Sequence, residues 1–294
     1  MQDFAPIRRR RRQFDDDDDT YRRNPSQVED AFDDTTDGLP AGDRWSTWDA
    51  SAAGERGPQP YPEWLVTDLA AVDTDLGVLK TGKEADVHLL ERAVPETDRR
   101  CLLASKRYRS SEHRMFHRDA GYLEGRRVRR SRENRAMASR TAFGRQMIAG
   151  QWARAEFGAL CRLYEAGVPV PYPAQILGTE LLMEFVGEPD GTAAPRLAQV
   201  RDGHADLWDQ LVASLVTLAR LGLAHGDLSP YNVLVGDGRL VLIDLPQIVD
   251  VVANAQGRRF LERDATVMAT WFASRGVPGT DSLADLLRRE AGLR

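Results

Sequence analysis

The sequence predicts an α+β protein, with an antiparallel sheet over residues 61–187 followed by a helical part over 188–294. Three observations predict it. Strand-like apolar runs broken by turn residues lie before residue 187, over 77–108 and 176–186. Apolar residues at helical spacing mark the second half, most plainly Leu207, Leu211, Leu215 and Leu218. After that stripe comes a polar loop, His225-Gly226-Asp227-Leu228-Ser229-Pro230-Tyr231-Asn232, followed twelve residues later by Asp244 at the exit of the apolar run Leu240 to Ile243.

Composition sets the outer bounds. A chain of 294 residues can bury one large core or two lobes, and it holds no apolar run long enough to cross a membrane. Arg8 to Arg12 are followed by Gln-Phe and five aspartates instead of the apolar stretch an export signal needs. Two cysteines, Cys101 and Cys161, cannot make a disulfide framework, which is compatible with a reducing cytoplasm. Five scattered histidines form no zinc spacing. Residues 1–60 carry nine basic and fourteen acidic side chains and account for the whole formal charge of −5. They are expected to be a disordered, solvated tail or a weak interaction arm, the neighbouring aspartates opposing a nucleic-acid contact through the arginine run. Only three of the 40 basic residues are lysine, namely Lys80, Lys83 and Lys106. Where arginine serves as the general surface cation, these three mark places for a compact ammonium, although base composition of the genome would also produce the bias.

The spacing of Asp227, Asn232 and Asp244 resembles the catalytic and metal-binding loop of kinase-like phosphotransferases. Phosphoryl transfer needs positioning more than covalent help. One carboxylate meets the incoming hydroxyl, and an amide with a second carboxylate holds divalent ions on the nucleotide phosphates.

The elements before that loop follow in order. Glu63 to Val72 is expected as a short helix, with Trp64, Leu65, Leu69 and Val72 at helical spacing. Gly77 to Lys83 meets the glycine and lysine positions of a Walker A loop, but Glu84 stands where Ser or Thr should ligate magnesium. The flank Val87-His-Leu-Leu-Glu is strand-like, so the stretch is expected to be a turn between antiparallel strands, either lying over phosphate or serving as a plain hairpin. Arg100 to Tyr108 reads as a strand, with Lys106 where kinases carry a phosphate-binding lysine. The helical run from about Arg145 to Ala166 puts Trp152, Ala155, Ala159, Leu160 and Leu163 on one face, with Glu156 beside it as a partner for Lys106 or as an ordinary exposed acid.

Between these lies the arginine-dense stretch Arg109 to Arg145, expected to be a flexible loop. It either contacts RNA, a ribosomal surface or an acidic protein, or is a solvated loop. Gly167 and the prolines after it end the helix. Two strands through Ile176 and Leu181 to Gly187 lead to a hinge offering the backbone carbonyl of Glu184 and the amide of Val186 to adenine. After Asp244 come a helix at about Arg258 to Ala273 and a shorter one near Leu283 to Arg289. There is no Asp-Phe-Gly and no Ala-Pro-Glu, and too little chain remains to dock a peptide as a conventional protein kinase does.

The set Thr81-Gly-Lys-Glu-Ala-Asp-Val, Lys106, Glu156, Met183-Glu-Phe-Val-Gly, His225-Gly-Asp-Leu-Ser-Pro-Tyr-Asn and Ile243-Asp-Leu-Pro-Gln resembles the RIO family of atypical serine/threonine protein kinases, nearest its type-one branch, over roughly residues 70–285. The resemblance implies a bilobal protein-kinase-like fold with a reduced C-lobe, ATP with Mg²⁺ or Mn²⁺ as cofactors, and a protein substrate. It implies Asp227 as the catalytic aspartate and Asn232 and Asp244 as metal ligands. Lys106 with Thr81, Gly82, Lys83, Glu84 and Ala85 would bind phosphate, and Glu156 would hold Lys106. In some members the aspartate matching Asp244 is transiently phosphorylated and the protein acts as an ATPase switch in small-subunit ribosome maturation. Pro230 stands where the family usually has Glu, and Pro246 where it usually has Ser. Two other readings stay open at this stage: a small-molecule phosphotransferase of the aminoglycoside or choline kinase type, and a nucleotide-gated binding module.

Overall fold

Six strands form an antiparallel sheet in the order β1-β2-β3-β4-β6-β5: β1 (Arg44–Trp45), β2 (Val72–Thr81), β3 (Ala85–Ala93), β4 (Arg100–Tyr108), β5 (Pro173–Leu177) and β6 (Glu180–Glu184). The computed structural model describes residues 42–109, 142–245 and 248–293. The expected tail up to residue 41, nearly all of the arginine-dense loop and Pro246 lie outside the described residues.

β4 sits at the middle of the sheet, and its period of two serves both faces. Cys101 and Leu103 point to one side and pack with Trp48, Leu65, Val66, Leu90 and Tyr172. Ala104 and Tyr108 point to the other and join the main core. That second side is covered by α1 (Ala142–Glu165), which closes in a Schellman turn: Gly167 takes φ +76°, its N–H reaches the Tyr164 carbonyl, and the Val168 N–H reaches Leu163.

The helical lobe follows. α2 (His204–Arg220) buries Leu207, Leu211, Leu215 and Leu218, the stripe expected from the sequence. β7 (Leu223–Ala224) leads into the polar loop and pairs with β10 (Val249–Asp250). β8 (Val233–Gly236) and β9 (Arg239–Leu242) form a hairpin that holds Asn232 and Asp244 at its base. α3 (Gly257–Ala273) and α4 (Leu283–Glu290) close the lobe, close to the expected helices at 258–273 and 283–289. No helix of the described residues is long and apolar enough to cross a membrane.

Two expectations are corrected. Of the stretch 1–60, the described part from Gly42 onward is folded: β1 extends the sheet, Trp48 is 4% exposed, and Gln175 donates to Thr47 Oγ1 and Ser51 Oγ at 2.8 and 3.1 Å. Glu63 to Val72 is not a helix. Leu65, Val66 and Ala71 are buried while Leu69 is 78% exposed, a pattern no single helix face can produce. Pro60 and Pro62 favour extended backbone here, and the apolar residues are taken up by the outer face of the sheet. On α1 the buried face carries Ala149, Ala153, Phe157, Ala159, Leu160 and Leu163; of the expected stripe Ala159, Leu160 and Leu163 are buried and Trp152 and Ala155 partly so, with Glu156 buried beside them.

Candidate active site

Strand geometry places Lys106 between Ala104 and Tyr108 on the side of β4 that faces α1, and α1 brings Glu156 to meet it. The Lys106 ammonium lies 2.8 Å from the Glu156 carboxylate and 3.0 Å from Asp244 Oδ1. Glu156 is 2% exposed, and every partner around it is a donor. The Tyr108 hydroxyl donates to its second oxygen, and the Leu245 N–H donates at 3.3 Å. A carboxylate buried this deeply is stable as an anion only with such a shell. Burial disfavours the charged form of Lys106, yet attraction to Glu156 and Asp244 outweighs it and holds the ammonium well above its ordinary range. Burial likewise pushes the Asp244 carboxyl up, but Lys106 first and then Lys80 pull it below the usual carboxylate range. Asp244 adopts φ +66°, a left-handed conformation costly for a residue with a Cβ.

The polar loop is held by its backbone. His225, 1% exposed, reaches the Ile243 carbonyl through Nε2 at 3.0 Å. Asp264, on α3, accepts the Gly226 N–H at 2.8 Å and the Leu228 N–H at 3.0 Å. Burial raises the Asp264 carboxyl, against the pull of His225 and the two amides. The Asn232 amide donates to the Asp227 carbonyl at 2.9 Å, and the Ile243 N–H donates to the Asn232 carbonyl at 3.0 Å. These bonds bring Asn232 beside the strand that ends at Asp244. The Asp227 carboxylate is half exposed and meets Arg263 Nη2 at 2.9 Å.

At the other end of the sheet, β2 and β3 are joined by the expected turn. The Gly82 N–H donates to the Ala85 carbonyl at 3.0 Å, and a Cβ on Gly82 would sit 2.8 Å from that oxygen, so only glycine fits. Thr81 pairs with Asp86 across it, Lys83 and Glu84 are exposed, and Ala85 is buried opposite Tyr108 in β4. Val87 pairs with Lys106 itself. Glu184 is paired with Leu103 in β4, and its side chain accepts the Tyr172 N–H at 3.0 Å. Two residues on, the Val186 carbonyl accepts the Ala194 N–H at 3.0 Å, turning the chain towards the helical lobe.

Every sequence-predicted site residue thus lies on one of three adjoining parts: the β2–β3 turn, the β4–α1 contact with the hinge, and the polar loop with Asp244. Asp244 and Asn232 together offer a carboxylate and an amide oxygen, hard donors that suit Mg²⁺ or Mn²⁺. Among the described residues no cluster of three or more His, Cys, Asp or Glu side chains is arranged for a metal. Sequence reasoning missed Tyr108, Asp264 and Arg263. Asp264 had a signal, since it shares one face of its helix with Leu261, Ala265, Met268 and Phe272, and an acid on an apolar face calls for a buried partner.

Comparison with known proteins gives one consistent family. A family model described as the RIO domain matches residues 101–284. The RIO-type serine/threonine-protein kinase Rio1 of Haloferax volcanii is 34% identical over 223 residues, 75% of this chain and 71% of that protein. The serine/threonine-protein kinase RIO1 of Chaetomium thermophilum is 33% identical over 221 residues, 71% of this chain but only 40% of that longer protein. In fold, the chain is similar to the Rio2 kinase of Chaetomium thermophilum solved as an ADP/Mg²⁺-phosphoaspartate complex, with a TM-score of 0.50, 21% identity, and coverage of 72% of this chain and 62% of that one.

Proposed function

Since this chain belongs to the RIO family, we propose that it is an ATP-dependent phosphotransferase whose γ-phosphoryl acceptor is a protein serine or threonine hydroxyl, its own Asp244, or water. The observation that carries the reading is the buried contact of Lys106 with Glu156 and Asp244, which ties the sheet lobe, α1 and the exit of β9 together at one ammonium. A cation fixed in this way is suited to the phosphates of a nucleotide.

In the proposed reaction a hydroxyl or water acceptor gives its proton to Asp227, whereas the Asp244 carboxylate, as acceptor, attacks with no proton to lose. The acceptor oxygen bonds to the γ-phosphorus, and the bond from that phosphorus to the bridging oxygen breaks with its electron pair leaving on ADP. Lys106, held by Glu156, contacts the phosphates that stay with ADP. Thr81, Gly82, Lys83, Glu84 and Ala85 cover them, and the backbone of Glu184 and Val186 receives adenine. Asn232 and Asp244 would hold Mg²⁺ or Mn²⁺, whose chemistry is to neutralise charge on the phosphates. The arginine-dense stretch Arg109 to Arg145 is the proposed contact for RNA, a ribosomal surface or an acidic protein.

Incubation with γ-labelled ATP and Mg²⁺ tests this. Label on the protein that hydroxylamine releases points to an acyl phosphate on Asp244, and stable label points to serine or threonine. Label that passes only to an added small alcohol would replace this reading with a small-molecule phosphotransferase. ATP binding with no turnover at all would leave a nucleotide-gated binding module.

A further inference from the structure

The Asp227 side chain poses a problem that its own loop does not solve. The loop's backbone is fixed from three directions, by Asp264, His225 and Asn232, but those bonds reach amides and carbonyls. The carboxylate itself is 54% exposed, and among the described residues the one group bonded to it is the Arg263 guanidinium. Nη2 of Arg263 lies 2.9 Å from Asp227 Oδ1, and Nη1 lies 3.3 Å from the Gly226 carbonyl. One planar fork therefore spans a side-chain oxygen and the main-chain oxygen of the residue before it.

The next residue on the helix acts on the same loop from its other side. Asp264 accepts the amides of Gly226 and Leu228, the residues that flank Asp227. Adjacent positions on α3, one cation and one anion, thus grip both polarities of the loop. Asp264 is 3% exposed and fixes the backbone, while Arg263 is half exposed and fixes the carboxylate. An ion pair this exposed adds little to stability. Its effect is on orientation, because a free aspartate rotates among its staggered positions and a base must point at the proton it takes.

We propose that Arg263 is a positioning residue for phosphoryl transfer, and that it works through Asp227 by holding its carboxylate towards the acceptor. This rests on the phosphotransfer reading above. It predicts that arginine here sets the rate of the chemical step and not the affinity for nucleotide. Lysine keeps the charge but cannot span two oxygens, so it is an incomplete substitute.

The test is ATP turnover by the full chain with Mg²⁺, alongside ATP affinity measured by equilibrium binding. Arg263→Ala should lower kcat roughly 10- to 100-fold, the scale of a misoriented catalytic group, with ATP affinity and thermal midpoint unchanged. Arg263→Lys should fall between the variant and the parent. Millimolar guanidinium, against a sodium chloride control, should restore part of the Arg263→Ala rate. Adding Arg263→Ala to Asp227→Asn should cost nothing further, because the arginine has no carboxylate left to orient. Parental turnover in Arg263→Ala, or a full additional loss in the double variant, would overturn the positioning role while leaving the phosphotransfer reading in place. Parental turnover in Asp227→Asn would overturn both.

Discussion

Among 40 basic side chains only three are lysine, and the one on β4 is buried between two carboxylates. Removing one member of a buried charge pair leaves the other uncompensated. Lys106→Met should therefore cost about 3–5 kcal/mol of stability as well as turnover, read from a denaturation midpoint and an ATP assay on the same sample. An unchanged midpoint would mean that the contact of Lys106 with Glu156 adds nothing to the stability of the fold. Lys106 was legible because lysine is so rare in this chain. Arg263 was not, because one half-exposed arginine among so many carries no signal of its own. Tyr108 was hidden for another reason: a tyrosine two residues after the lysine reads as ordinary strand alternation, and its contact to Glu156 depends on where α1 lies.

β4 fell at its expected bounds, since period-two patterning is local and strong there. The expected helix at 63–72 failed because apolar spacing alone does not say whether a residue faces a helix's own side or a distant sheet. β2 carries an ionic link that no periodicity marks. Asp75 is held by Arg107 at 2.7 Å and His88 at 2.9 Å. Burial would raise its carboxyl, but the Gly77 N–H, Arg107 and His88 outweigh it and bring it down to about 2, from 3.8. A depressed carboxylate stabilises the fold above its unfolded value and loses that contribution as pH falls through its folded one. Asp75→Asn should thus lower stability by about 1–2 kcal/mol at neutral pH. The gap from the parent should close between about pH 4 and pH 2, in urea midpoints taken across that range. A gap that persists at pH 2 would mean that hydrogen bonding and not charge carries the link.

The two-lobe architecture was legible as a whole because each element announces itself locally and the polar loop fixes where the lobes meet. The folded stretch from Gly42 was not. Its contacts to Gln175 span more than a hundred residues and obey no period. Trp48 gives this segment its anchor, stacked edge-on against Tyr61 and buried with Leu65 and Leu103. Trp48→Ala should cost about 3–5 kcal/mol, and a chain begun at Tyr61 should unfold at lower denaturant than one begun at Gly42. Equal midpoints would reduce the segment to decoration. The Pro230 carbonyl accepts the Ala198 N–H at 3.1 Å, and the Asn232 amide donates to the Asp227 carbonyl, which keeps Asp227 and Asn232 in contact. What joins sheet, helices and loop is the assignment of proton transfer to Asp227 and nucleotide binding to the groups around it. The most direct measurement is ATP turnover and Mg²⁺-ATP affinity of Asp227→Asn against the parent. Turnover should fall about 10²- to 10⁴-fold to a measurable residual rate while affinity stays within about twofold, since the substitution removes the proposed base and no proposed ligand. Parental turnover, or a loss of affinity that accounts for the lost rate, would contradict it.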